Sequence, residues 1–157
     1  IAKHRGCRVI ATASTEEKLA LCAELGADIC INYSHEGWSN QVRAATDRQG
    51  VDVTVDCVGK TTWNQSLRLT RAGGRVLTCG ATTGHDPIED LRHIFFRQLS
   101  IIGSTMGTRK EFAGLMGYIT QGRIKPLLAR TYPLEDIHRA QQDFLDKKFF
   151  GKLVMLP

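Results

Sequence analysis

Several signals that would fix a function outright are missing from this sequence. No apolar run reaches the ~20 residues needed to cross a bilayer, and no charged-then-apolar leader opens the chain. No stretch of five or more Lys or Arg occurs, so a basic nucleic-acid tail is not indicated. Cys7, Cys22, Cys30, Cys57 and Cys79 include no C-x-x-C pair, and His4, His35, His85, His93 and His138 show no ligand spacing. A zinc site made from this segment alone is therefore not expected. The odd number of cysteines, most of them in apolar strand-like segments, predicts reduced, buried thiols. Together these absences lead to the expectation of a soluble, cytoplasmic protein.

What is present is ordinary for a globular fold. The 157 residues suffice for one domain with a sizeable core, and 42% hydrophobic with 24% charged residues matches a typical globular composition. The net charge of +5 suits an anionic ligand or, equally, a solvated basic surface.

Short apolar runs alternate with helix-like segments along the whole chain. Strands are expected at Cys7 to Ala13, Asp28 to Asn32, Val51 to Cys57, Arg75 to Cys79, Leu99 to Thr105, Leu127 to Tyr132 and Lys152 to Leu156. Between them lie helical faces: Leu19, Cys22, Ala23 and Gly26; Trp38, Val42 and Ala45; Trp63, Leu67 and Thr70; Phe112, Leu115, Met116 and Ile119; and a last helix over Leu134 to Lys147. Capping boxes are read at Ser14 with Glu17, Thr62 with Gln65 and Thr108 with Glu111. Asp86-Pro87 with Glu89 reads as the opening of a short helix. Five strand–helix alternations predict an α/β, doubly wound parallel sheet with helices on both faces.

Ligands of such sheets bind at the carboxyl ends of the strands. Those ends are small and hydroxylated: Ala13-Ser14-Thr15, Asn32-Tyr33-Ser34, Cys57-Val58-Gly59, the stretch Cys79 to Gly84, and Ser104 to Gly107. Loops in general share that composition, so the argument rests on the set rather than on any one end. The G-x-G-x-x-G turn that a dinucleotide fold places after its first strand is absent, and Gly80 with Gly84 lies later at the wrong spacing. Ile1 to Gly6 reads as the tail of a helix, so a first strand and its glycine-rich phosphate loop are expected upstream.

The order and spacing of several strings resemble the medium-chain dehydrogenase/reductase superfamily, in particular its zinc-type alcohol dehydrogenase and quinone oxidoreductase members. The strings are Ile1 to Asp28, Ile31 to Trp38, Gly50 to Gly59, Ala72 to Gly84, Leu99 to Phe112 and Tyr132 to Pro157. The resemblance implies a two-domain parent enzyme. Residues 1–125 would be a partial Rossmann domain lacking its first strand, and residues 126–157 the return into the catalytic domain. Any catalytic zinc would be held in the half not present here. The implied chemistry is hydride transfer between NAD(P) and an alcohol, carbonyl, quinone or enone, with no catalytic residue in this segment, which by itself is expected to be inactive. A non-enzymatic nucleotide-binding or scaffold module is the alternative. RNA binding lacks an aromatic–basic motif.

An NAD site usually carries a carboxylate at the end of the second strand. Here that place holds Ser14, and Lys18 stands one turn into the following helix, at whose N-terminus backbone donors gather. In similar NADP reductases a tyrosine at the place of Tyr33 lies near the 2′-phosphate. These three residues favour NADP over NAD. Ser14 also suits an N-cap, Lys18 a solvated helix face and Tyr33 a cover for the sheet edge, while Glu16 and Glu17 count against a phosphate. By position in the family, Cys57 and Val58 would line the adenosine side. Gly80, Ala81 and Thr82 would lie near the middle of the cofactor, and Ser104, Thr105 and Met106 near the nicotinamide ribose. Lys148 and Phe150 would close over it. Asp56 would be structural. The family's strand order leaves an empty slot between the Cys7 to Ala13 strand and the Val51 to Cys57 strand. It makes Leu99 to Thr105 an edge that pairs in a homodimer.

Overall fold

A computed structural model describes all residues 1–157. The chain forms two compact units, residues 2–106 and 107–157. The first holds β1 (Ile10–Ala13), α1 (Glu16–Glu24), β2 (Ile29–Asn32), α2 (Trp38–Ala45), β3 (Val51–Asp56), α3 (Trp63–Leu69), β4 (Thr70–Thr78), α4 (Arg92–Phe95) and β5 (Ser100–Gly103). Every paired strand is parallel. The ladder is interrupted, however: β1 pairs with β2, and β3-β4-β5 form a separate sheet. The break falls between β1 and β3, where the strand order expected from the sequence leaves its empty slot.

Side chains cross that break where backbone hydrogen bonds do not. Buried Ile31, Val42 and Leu69 form one cluster against which Ile10 of β1 and Val51 of β3 pack, together with Ile29 and Trp38. The helical spacing of Trp38 and Val42 puts both on this face. A second cluster joins Trp63 and Leu67 of α3 to Val76 of β4 and to Leu99, with Ile94 against it. Leu67 and Val76 are fully buried, and removing a leucine side chain from such a place costs about 2–5 kcal/mol. Arg97 closes the end of α3: its guanidinium donates to the carbonyls of Leu67, Arg68 and Thr70, which have no helical partner of their own.

Some local readings are corrected. The N-cap of α1 is Thr15 rather than Ser14: its side chain accepts from the Lys18 N–H at 3.4 Å. Thr62 precedes α3 but makes no cap with Gln65, because its hydroxyl is committed to a buried carboxylate. No helix opens at Asp86-Pro87. That stretch is irregular, and the short helix starts only at Arg92, after Asp90 accepts from the Arg92 N–H at 3.1 Å. The box of Thr108 with Glu111 is present. The thiols are free but not buried: Cys7, Cys57 and Cys79 are exposed, and Cys22 and Cys30 half-buried. Cys7 precedes its strand and Cys57 and Cys79 follow theirs, so they miss the interior that the strands themselves reach.

The second unit holds α5 (Arg109–Thr120), β6 (Leu128–Pro133), a single 3₁₀ turn (Leu134–Asp136), α6 (Ile137–Asp146) and β7 (Lys152–Leu156). β6 and β7 pair in parallel. The Tyr132 hydroxyl donates to Asp143 at 2.6 Å, and Arg130 donates to the same carboxylate, joining β6 to α6. The apolar face of α5 is largely open, with Phe112 63% exposed. No helix of the chain is long and apolar enough to cross a membrane.

Candidate functional site

The parallel strands of the first unit end in two neighbouring groups of loops. β1 and β2 finish level, Ala13 opposite Asn32, and the Tyr33 N–H donates to the Ala13 carbonyl at 3.0 Å. Ser14 and Tyr33 are thus the next residues on adjoining strands. The Ser34 hydroxyl donates to the Ser14 carbonyl at 3.1 Å, tying the two ends together. Because Thr15 caps the helix, the Ser14 hydroxyl has no hydrogen-bond partner, and the Lys18 ammonium and Tyr33 hydroxyl have none either. Ser14, Lys18 and Tyr33 are all half-exposed. Glu16 is turned to Asn32, whose amide donates to it at 2.8 Å. The Glu17 carboxyl is lowered by its own backbone N–H and by Thr15, in keeping with a helix N-terminus.

The second group is organised by Asp56, the last residue of β3 and only 4% exposed. Its Oδ1 accepts from the N–H groups of Val58 and Gly59, both at 2.9 Å. Its Oδ2 accepts from the Thr62 hydroxyl at 2.9 Å and the Ser66 hydroxyl at 2.6 Å. Thr62 and Ser66 are four residues apart, one above the other on the face of α3 that meets β3. A buried carboxylate is tolerable only when its lone pairs are filled in this way. The Asp56 side chain thereby dictates the path of Cys57, Val58 and Gly59.

That loop is laced to the one after β4. The Thr83 hydroxyl donates to the Val58 carbonyl at 2.7 Å and accepts from the N–H and the hydroxyl of Thr61, both at 3.2 Å. Lys60 donates to the Gly84 carbonyl through its N–H and to Asp86 through its ammonium at 3.0 Å. Gly59 sits in the left-handed region, φ 87°, and a Cβ on it would lie 2.6 Å from the Gly84 carbonyl oxygen. Only glycine fits there. Gly80, Ala81 and Thr82 form an exposed ledge above this junction. At the end of β5, the Ser104 N–H donates to the Thr78 carbonyl at 2.9 Å, and the exposed Ser104, Thr105 and Met106 continue the ledge. The Cys57 thiol is pushed up by partial desolvation, and further by Cys79 and by the Asp56 carboxylate.

The structure therefore brings Ser14 and Tyr33 together with Lys18 one turn on, and Cys57 and Val58 together with Gly80, Ala81 and Thr82. Lys148 and Phe150 lie in the other compact unit, between α6 and β7, Lys148 exposed and Phe150 half-buried. The roles of Thr62, Ser66 and Thr83 escape the sequence reading. The available signal was Asp56 followed by two hydroxyls on one helical face.

A family model described as zinc-binding dehydrogenase matches residues 1–121. The chain belongs to that family. A 2-haloacrylate reductase of Burkholderia is 34% identical over 99% of the chain. Among solved structures, an NAD-dependent alcohol dehydrogenase superposes with a TM-score of 0.93 at 35% identity, covering 99% of the chain and 46% of its own. A crotonyl-CoA carboxylase/reductase in complex with NADP gives 0.87 at 27% identity, covering 98% and 44%. These bear out the resemblance to medium-chain dehydrogenases and the Rossmann-like α/β fold. The chain spans half the length of the Burkholderia relative. No three or more His, Cys, Asp or Glu side chains are grouped so that they could hold a metal ion.

Proposed function

We propose that this chain is the coenzyme face of an NADP-dependent oxidoreductase acting on an alcohol, carbonyl, quinone or enone. Bound nicotinamide coenzyme supplies a hydride acceptor or donor at its C4. The observation that carries the NADP preference is the end of β1, where the Ser14 hydroxyl is left unengaged by Thr15 and the Lys18 and Tyr33 tips are equally uncommitted. A hydroxyl, an ammonium and a phenol can all donate to a 2′-phosphate. Of the two acids that count against a phosphate, Glu16 is turned to Asn32 and Glu17 is engaged by its own backbone N–H and by Thr15. In this reading Asp56, through the Val58 and Gly59 N–H groups, holds Cys57 and Val58 against the adenosine side, and Gly80 to Thr82 admit the middle of the coenzyme closely because their side chains are small. Ser104, Thr105 and Met106 would position the nicotinamide end. Residues 126–157 would return toward a catalytic domain, with Lys148 and Phe150 closing over the coenzyme.

Two solved relatives differ in the coenzyme named for them, one NAD and one NADP, so the preference belongs to the local residues. The test is fluorescence titration of the full-length protein with NADPH and NADH. Tighter NADPH binding supports the reading; equal or reversed affinities remove the argument from Ser14, Lys18 and Tyr33.

We further infer a homodimer paired along the β5 edge. Its residues Ser100 to Gly103 are all exposed, with β4 on one side only. The Ser104 N–H faces β4, so by strand alternation the Ile101 N–H faces the open edge. Light scattering on Ile101→Pro, which removes that edge N–H, would yield monomers; an unchanged dimer would place the interface elsewhere.

A further inference from the structure

Cys57 and Cys79 end adjacent parallel strands side by side. β3 and β4 are in register, Asp56 opposite Thr78, so these cysteines are the next residues along each. The Cys79 N–H donates to the Asp56 carbonyl at 3.1 Å, which carries the register one step further. A Cβ built on Gly80 would lie 3.1 Å from the Cys57 carbonyl oxygen and 3.7 Å from its Cα and Cβ, a second measure of how closely the two chains run. Strand alternation, carried one residue past the ends of β3 and β4, sets the side on which the thiols point. Asp56 bonds to Ser66 of α3 and Thr54 to Thr70, and Val76 packs on α3. Val55, which is 65% exposed, Cys57 and Cys79 therefore share the opposite, open face. Neighbouring strands lie about 4.8 Å apart, inside the ~4.4–6.8 Å between Cα atoms that a disulfide bridges. Both thiols are free and exposed.

We propose that Cys57 and Cys79 are an oxidisable dithiol that hydroperoxides close to a disulfide, and that the closed form excludes nicotinamide coenzyme. The second half rests on the coenzyme reading above. The Cys79 thiolate attacks one peroxide oxygen: an S–O bond forms, the O–O bond breaks, and the departing oxygen takes up the thiol proton. The Cys57 thiol then attacks that sulphur: the S–S bond forms, the S–O bond breaks, and hydroxide leaves with the Cys57 proton as water. Two thiols and one ROOH give one disulfide, one ROH and one water. Two electrons pass from sulphur to the peroxide. The first attack is assigned to Cys79 because partial desolvation, then Cys79 and the Asp56 carboxylate, push the Cys57 thiol up. The other neighbouring thiols, Cys22 on α1 and Cys30 on β2, are half-buried, and burial raises Cys22. Closure would draw the loops after β3 and β4 together where Val58 and Gly80 meet the coenzyme.

The experiment treats the full-length protein with hydrogen peroxide, alkylates the remaining thiols and maps the peptides. A peptide linking Cys57 to Cys79, reversed by dithiothreitol, is expected. NADPH affinity should fall at least ~tenfold as the linkage accumulates, while Cys79→Ser keeps through treatment whatever affinity it had before. Overturning results are Cys57 and Cys79 left as thiols, either one converted to a sulfinic acid without linkage, or a linkage confined to Cys22 and Cys30. Linked protein that binds NADPH as before overturns the exclusion. A linked peptide in a protein that binds no nicotinamide coenzyme even when reduced sinks the coenzyme reading and leaves the dithiol standing.

Discussion

The Ser66 hydroxyl donates to the Asp56 carboxylate across 2.6 Å, both groups buried between α3 and the end of β3. A hydrogen bond to a charged group contributes about 1.5–3 kcal/mol, so Ser66→Ala should lower stability by about 2 kcal/mol. Asp56→Ala leaves the Val58 and Gly59 N–H groups and two hydroxyls without their acceptor, and should cost about 3 kcal/mol or more. Urea unfolding reads both as lower midpoints with unchanged slope. An Asp56→Ala protein as stable as the parent would show that this carboxylate does not hold the loop.

Two glycines separate backbone strain from crowding. Gly59 and Gly122 both have positive φ, 87° and 70°, but a Cβ on Gly122 meets nothing within 4 Å whereas one on Gly59 strikes the Gly84 carbonyl. Gly122→Ala should cost about 1–2 kcal/mol, the left-handed penalty alone. Gly59→Ala should cost roughly twice that and weaken coenzyme binding as well. Equal losses in melting experiments would mean that the loop after β4 yields freely.

Ser14→Asp should exchange coenzyme preference. Two like charges 4 Å apart repel by about 4 kcal/mol at an effective dielectric near 20, and even a third of that is about tenfold in affinity. The dissociation constant for NADPH should rise by about tenfold or more, with that for NADH unchanged or lower. An unaltered ratio would put the 2′-position of the ribose away from Ser14.

Asp90 offers a pH test. The Arg92 side chain, then the Arg92 backbone N–H, lower its carboxyl to about 2. A carboxyl depressed in the folded state adds stability that is complete above its unfolded value of about 3.9 and is lost as pH falls through about 2. The pair is exposed, so the effect is best read on the group itself. Carbon-detected NMR titration should give a midpoint near 2, returning toward the ordinary range in Arg92→Ala. An ordinary midpoint in the parent would mean that the pair does not persist in solution.

The alternation of elements was readable because β-branched runs such as Val51 to Val55 favour a strand whichever way their side chains point, and because the helical spacing of Trp38 with Val42 marks one inward face. Details that depend on competition between equivalent groups were not. Ser14 and Thr15 are both good caps, and backbone direction at the strand end, not residue type, gives the role to Thr15. Thr62 has the spacing of a capping box, yet a buried carboxylate outcompetes the helix for its hydroxyl. The cysteines read as interior because most fall within apolar strand-like runs, but Cys57 and Cys79 stand one residue beyond their strands and are already outside. Of the site, the strand-end positions were legible, while the lacing of the two loops, which depends on contacts some 25 residues apart in sequence, was not.

Thr83 gives the ledge its mechanical character. With one proton to give, it gives it to Val58 and receives Thr61, so the loop after β3 cannot swing away from the loop after β4 without breaking all three bonds. The two loops move as one body, and a ligand that stills either stills both. The entropy lost on binding is then that of one segment rather than two, and a substitution in one loop should be felt at the other in a double-mutant cycle.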